Sequence, residues 1–98
     1  MIIVTGSVQT SPETLAEALQ VSLEHVRRSR LEPGCLLHSV HRDVENDHRL
    51  VFVEHWQDLD ALRMHFAVQA SRDLSKALGR LATERPTIEI YDATPTTP

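Results

Sequence analysis

The spacing of apolar residues switches repeatedly between a strand period and a helix period along this chain, and the order of the switches restricts the fold more than any other feature. Ile2 to Gln9 (IIVTGSVQ) sets Ile2, Val4 and Val8 on one side and Ile3, Thr5 and Ser7 on the other, as in a half-buried strand. Gly6 interrupts that strand and marks a bend, a bulge or a close approach to the backbone. Ser11-Pro12 predicts a helix start, because serine can cap an orphan amide and proline suits the first helical position. From Glu13 to about Ser29, Ala16, Leu19, Leu23 and Val26 then recur at helical spacing, until Glu32-Pro33-Gly34 stops the helix.

A second strand is predicted from Cys35 to about Arg42, with Leu36, His38, Val40 and Arg42 on one face and Cys35, Leu37, Ser39 and His41 on the other. Val44 to His48 forms a turn, and Arg49 to Trp56 completes a hairpin. Asp58 caps the next helix, which carries Leu59, Leu62 and Phe66 on one stripe; a further helical piece runs from about Ser71 to Ala82. Pro86 ends it, and Thr87 to Tyr91 alternates as a last strand.

This succession is the split βαβ pattern of an α+β, ferredoxin-like fold, an antiparallel sheet with helices on one face. Residues 1–92 are expected to form one domain and the polar, proline-rich residues 93–98 a flexible tail. Leu50 and Phe52 point to one side of their strand and Val51 and Val53 to the other, so the open face is apolar too and is expected to be covered by a second copy in a homodimer. A chain of 98 residues buries only about 60–70% of its unfolded surface, which makes added burial by self-association useful.

Ten Lys and Arg against fourteen Asp and Glu give a net charge of −4, which argues against a nucleic-acid or anionic-membrane surface. No stretch approaches the ~20 apolar residues of a membrane helix. The one cysteine, Cys35, has no internal partner and no secretory leader pattern is present, so a reducing cytoplasm is the expected location. Gly6, Gly34 and Gly79 are isolated, so no phosphate-cradling loop is present.

Chemistry concentrates in VFVEHWQDLDALRMHF, Val51 to Phe66. Glu54 and Trp56 share one side of their strand and His55 takes the other; nine residues on, His65 lies about two turns up the following helix. An indole, an imidazole and a carboxylate could together wall a hollow suited to a flat aromatic ligand. The same residues also suit plain packing, with Trp56 as a core anchor, His65 as a hydrogen-bonded interior group and Glu54 in an ion pair. His38 shares its strand face with Val40 and is a second candidate for that wall. His41 faces away, so His38 and His41 cannot chelate one metal together.

The run Glu32-Pro33-Gly34-Cys35-Leu36, the hairpin after it, and Val53-Glu54-His55-Trp56, Asp58, Ala61-Leu62 and His65 resemble the antibiotic biosynthesis monooxygenase family of dimeric α+β-barrel proteins, over about residues 1 to 92. The resemblance implies oxidation of a small aromatic quinol or anthrone-type substrate by O₂, with no metal and no cofactor, in a homodimer. It implies catalytic roles for His65 first and His38 second as general base, with Trp56 as a stacking wall, Glu54 as an orienting group and Phe66 beside them in the substrate site. The family's haem-degrading branch uses an asparagine on the first strand and a histidine on the late helix, where this chain has Gly6 and Ser75. A small-molecule isomerase and a non-catalytic ligand-binding dimer of the same fold remain alternatives.

Overall fold

The computed structural model describes residues Met1–Pro98. The elements run β1 (Ile2–Gln9), α1 (Leu15–Ser29), β2 (Cys35–Asp43), β3 (Asn46–Trp56), α2 (Leu59–Ala67), α3 (Gln69–Leu81) and β4 (Thr87–Asp92). The strands form one antiparallel sheet in the order β2-β3-β1-β4, and the helices pack on one face, as the ferredoxin-like pattern predicts. No helix is long and apolar enough to cross a membrane.

The period-2 pattern of β3 decides which groups meet the helices. Leu50, Phe52, Glu54 and Trp56 are all buried, whereas the alternate residues Val51, Val53 and His55 are only half-buried on the open face. Two apolar clusters result. Leu50 and Phe52 pack with Val8, Ala18, Val26, Leu78 and Leu81, and Trp56 packs with Ile2, Val4 and Leu62. Burying a side chain such as Leu50 contributes about 1.5–3 kcal/mol relative to leaving it in water.

Three local expectations are corrected. First, α1 begins at Leu15 and not near Glu13, because the Ser11 carbonyl accepts from the amides of Thr14 and Leu15 and closes a separate turn before the helix. Its buried stripe is Ala18, Ser22, Val26 and Ser29 with His25 beside Val26, while Ala16 is exposed. Second, the hairpin turn is Val44-Glu45 and not Val44 to His48: Asp43 pairs with Asn46, and Asp43 Oδ1 accepts the Glu45 amide at 2.9 Å. Third, a register shift between Cys35 and Leu37 leaves Leu36 unpaired, 59% exposed, and sets Cys35 opposite Trp56. Cys35 therefore packs against the Trp56 cluster, on the face that strict alternation assigns to Leu36 and His38.

Strand β4 is exposed throughout. Its register sets Ile88 opposite Gly6 and Ile90 opposite Val4, on the helix side of the sheet, yet both stay near half exposed. Gly6 keeps the strand in register, so it is no bulge. A Cβ there would lie 3.0 Å from the Thr87 carbonyl oxygen, which explains the glycine by the close approach of β4.

Candidate functional site

The glycine after Pro33 brings the site together. Gly34 has φ 81°, a left-handed conformation open to glycine at little cost, and a Cβ there would lie 2.6 Å from that of Ala61. Its carbonyl accepts from the Gln57 amide at 2.8 Å, tying the entry of β2 to the turn before α2. On the other side of that turn, Asp58 Oδ1 accepts the Ala61 amide at 2.8 Å and caps α2 as expected. With both ends fixed, Glu32 reaches His65. Glu32 Oε1 accepts from His65 Nδ1 at 2.8 Å, while Oε2 accepts from Arg28 at 2.5 Å.

An ionised carboxylate only accepts, so Nδ1 of His65 carries the proton and its Nε2 presents a lone pair. That nitrogen lies 3.9 Å from Glu54 Oε1. The His65 ring stacks on Trp56 with centroids 4.6 Å apart and planes tilted by 33°, and the Trp56 indole N–H donates to Glu54 Oε1 at 2.8 Å. Tryptophan and histidine thus meet through one carboxylate.

Behind them lies His38, whose side chain is fully buried. Its Nε2 is 3.3 Å from Glu54 Oε1 but off the line a hydrogen bond requires, and its Nδ1 has no partner, so neither ring nitrogen is satisfied. His25 of α1 completes the group: its ring centroid is 5.2 Å from that of His38 and 5.1 Å from that of His65, and the latter two are 5.4 Å apart. Arg28 donates to Nδ1 of His25 at 3.0 Å.

Burial dominates the electrostatics. Desolvation, then the neighbouring His38, His65 and Arg28, push the His25 pKa down to about 3 against a weak opposing pull from Glu54. His65 is lowered as well, again first by burial, although Glu32 and Glu54 favour its charged form. Burial pushes Glu54 up, but contact with His38, the Trp56 N–H and His65 together outweigh it and hold the carboxyl below its ordinary value. Burial also raises the Cys35 thiol, so it is no activated nucleophile.

A cavity of about 500 Å³ opens beside this cluster, between the β1–β4 edge of the sheet and α3. His25, Glu54, His65 and Phe66 contribute to its wall near the cluster, and Leu74 and Ile88 to its apolar side. Of the residues singled out from sequence, Glu54, His65 and Phe66 line this cavity, whereas Trp56 and His38 lie behind it and do not. Residues His25 and Glu32 were not singled out from sequence. His25 was detectable in principle, since it lies three and seven residues after Ser22 and Ala18 on the buried stripe. Glu32 entered only as part of the helix stop and of the run that carries the family resemblance, and no role in the site was assigned to it, because a loop contact with α2 leaves no periodic trace.

The comparisons with known proteins agree with this architecture. A crystal structure of a candidate antibiotic biosynthesis monooxygenase from Deinococcus radiodurans superposes with a TM-score of 0.94 at 28% identity, covering 100% of this chain and 97% of that one. A second antibiotic biosynthesis monooxygenase structure gives 0.88 at 28% identity, over 97% of this chain and 100% of that one. A Caulobacter crescentus candidate gives 0.88 at 26% identity, over 96% and 90%. In sequence, an uncharacterized Synechocystis protein is 29% identical over 90 residues, 92% of this chain but only 61% of the length of that relative. The family model for antibiotic biosynthesis monooxygenases matches residues 1–77, and with the sheet order, the three helices and these neighbours, the chain belongs to the antibiotic biosynthesis monooxygenase family.

Proposed function

We propose that the chain binds a small, largely apolar aromatic molecule in the 500 Å³ cavity and that His65 removes its proton, leaving an electron-rich anion that reacts with O₂. One observation carries this reading: Glu32 holds Nδ1 of His65 at 2.8 Å with Glu54 3.9 Å from the opposite nitrogen, while burial lowers the pKa of the ring and so favours its neutral form. Accepting a proton on Nε2 creates an imidazolium between two carboxylates, which stabilises the charge formed in that step. A well-placed general base is typically worth about 10²–10⁴ in rate. Trp56 supports the base from below by stacking, and Phe66 borders the space the ring of a quinol or anthrone would take.

For an anthrone-type methylene the balance is one CH₂ and one O₂ giving one C=O and one water. The protein supplies proton removal and a partly apolar cleft, and the substrate supplies the electrons. Arg72 and Arg85 also line the cavity and form no ion pair, which favours substrates bearing a phenolate or carboxylate. An oxygen electrode with a panel of quinols and anthrones tests the reading. His65→Gln should lower oxygen uptake at least ~10²-fold, and a folded variant with full turnover overturns the base assignment; isomerised product without oxygen uptake would assign a proton shuttle instead.

The open sheet face supports a homodimer. Ile3, Val51 and Val53 are half-buried there, and Leu37 and Tyr91 are 40% and 48% exposed. Sedimentation at micromolar concentration is expected to give twice the 11.1 kDa chain mass, and a sole monomer peak would refute it.

A further inference from the structure

His25, His38 and His65 come from three different elements, α1, β2 and α2, and their ligand atoms all lie within 4.8 Å of one another. We propose that they form a three-histidine site for a divalent first-row transition ion such as Zn²⁺ or Co²⁺, with Glu54 as the fourth ligand.

The ring separations carry the argument. In a tetrahedral site with metal–nitrogen bonds of about 2.0–2.1 Å, each ring centroid lies about 3.2 Å from the ion, which sets the centroids about 5.2 Å apart. The three separations here are 5.1, 5.2 and 5.4 Å. Their centroids match the spacing of liganded imidazoles, and turning His25 and His38 about their Cβ–Cγ bonds brings their nitrogens toward Nε2 of His65, whose ring Glu32 already holds.

His38 supplies an independent indication. Both of its ring nitrogens are buried without a hydrogen-bond partner, a costly arrangement that metal coordination relieves at one nitrogen. Glu54 Oε1 stands 3.3 Å from His38 Nε2 and 3.9 Å from His65 Nε2, so the carboxylate already faces two of the three ligands. Glu32 holds the far nitrogen of His65, as outer carboxylates do in histidine metal sites. Three of the four ligands, His25, Glu54 and His65, line the cavity, which gives an ion a way in.

One contact opposes loading. Arg28 donates to Nδ1 of His25, so the other ring nitrogen carries the proton, and whichever nitrogen turns to the metal, Arg28 must give way. The lone pair of His65 cannot serve metal and substrate at once, so the loaded protein and the proton-removing form are alternative states of one pocket.

The test uses the full, untagged chain stripped with EDTA and titrated with Zn²⁺ and with Co²⁺. One Zn²⁺ per chain and the visible bands of tetrahedral Co²⁺ are expected, and His38→Gln or His25→Gln should weaken Zn²⁺ binding by about 10-fold or more, a loss that even changes outside the ligand shell typically cause. His41→Ala, on the exposed open face where His41 bonds only Ser39, should change nothing. Imidazole nitrogen NMR of the wild-type chain covers the case of misfolded variants, because Zn²⁺ should shift His25, His38 and His65 and spare His41, His48 and His55. Octahedral Co²⁺ spectra, shifts confined to the last three histidines, or binding unchanged in His38→Gln would overturn the site. Oxygen uptake by the stripped protein is a separate readout, so loss of this site leaves the proton-removal reading standing, and the reverse holds too.

Discussion

Lowering the pH from 7 to 5 destabilises the metal-free protein through His25. The folded state holds this imidazole neutral with a pKa of about 3, because burial and the facing His38, His65 and Arg28 outweigh Glu54, whereas in the unfolded chain it titrates at its ordinary value of 6.5. A depressed histidine pKa means that the unfolded state binds the proton first, so stability is complete above about pH 6.5 and falls as the pH drops toward 3. At pH 5 the unfolded imidazole is almost fully protonated and the folded one is not, which costs about 2 kcal/mol relative to pH 7. His65 is shifted in the same direction and adds to the loss, and Glu54, held below its ordinary value in the fold, adds a smaller one as the unfolded carboxyl begins to take up a proton near pH 5. The assay is urea unfolding at fixed protein concentration in EDTA, followed by Trp56 fluorescence at several pH values between 7 and 5. With a urea m value of about 1–2 kcal/mol/M, the midpoint should fall by about 1–2 M. The comparison that isolates the group is His25→Gln, which cannot titrate. Its stability at pH 7 is immaterial, because the quantity read is the stability lost between pH 7 and pH 5, which should be smaller by about 2 kcal/mol. An equal slope in both proteins, or a wild type more stable at pH 5, refutes the assignment of a buried neutral imidazole.

Other substitutions probe the supports of the site. Gly34→Ala forces a side chain into a left-handed backbone and into the Ala61 methyl, and should cost at least about 1–2 kcal/mol in chemical denaturation. Leu50→Ala empties a fully buried position beneath α1 and α3 and should cost about 2–5 kcal/mol by the same measure. Trp56→Phe keeps the aromatic surface under His65 but withdraws the N–H from Glu54, so circular-dichroism melts should show a loss of about 1–3 kcal/mol. Glu32→Gln leaves a neutral amide at His65 Nδ1 and should lower oxygen uptake with little change in KM, since it disturbs the base and not the cavity wall.

Much of the architecture was legible in the residues. The period changes that separate Val51–Trp56 from Leu59–Phe66 distinguish strand from helix without reference to anything distant, because side-chain direction follows from backbone geometry. The same rule put Glu54 and Trp56 on one face and His41 opposite to His38. Local chemistry likewise marked the Asp58 cap and the glycine after Pro33. What escaped it were departures from strict alternation, such as the register shift that turns Cys35 toward Trp56, and contacts with no sequence period, such as Glu32 on His65. Sequence alone thus determined the order and faces of the elements, since those depend on neighbours along the chain. Tertiary structure decided that three histidines from α1, β2 and α2 meet, two of them against one carboxylate, and which of them border the cavity, because that meeting depends on where the sheet sets each element down.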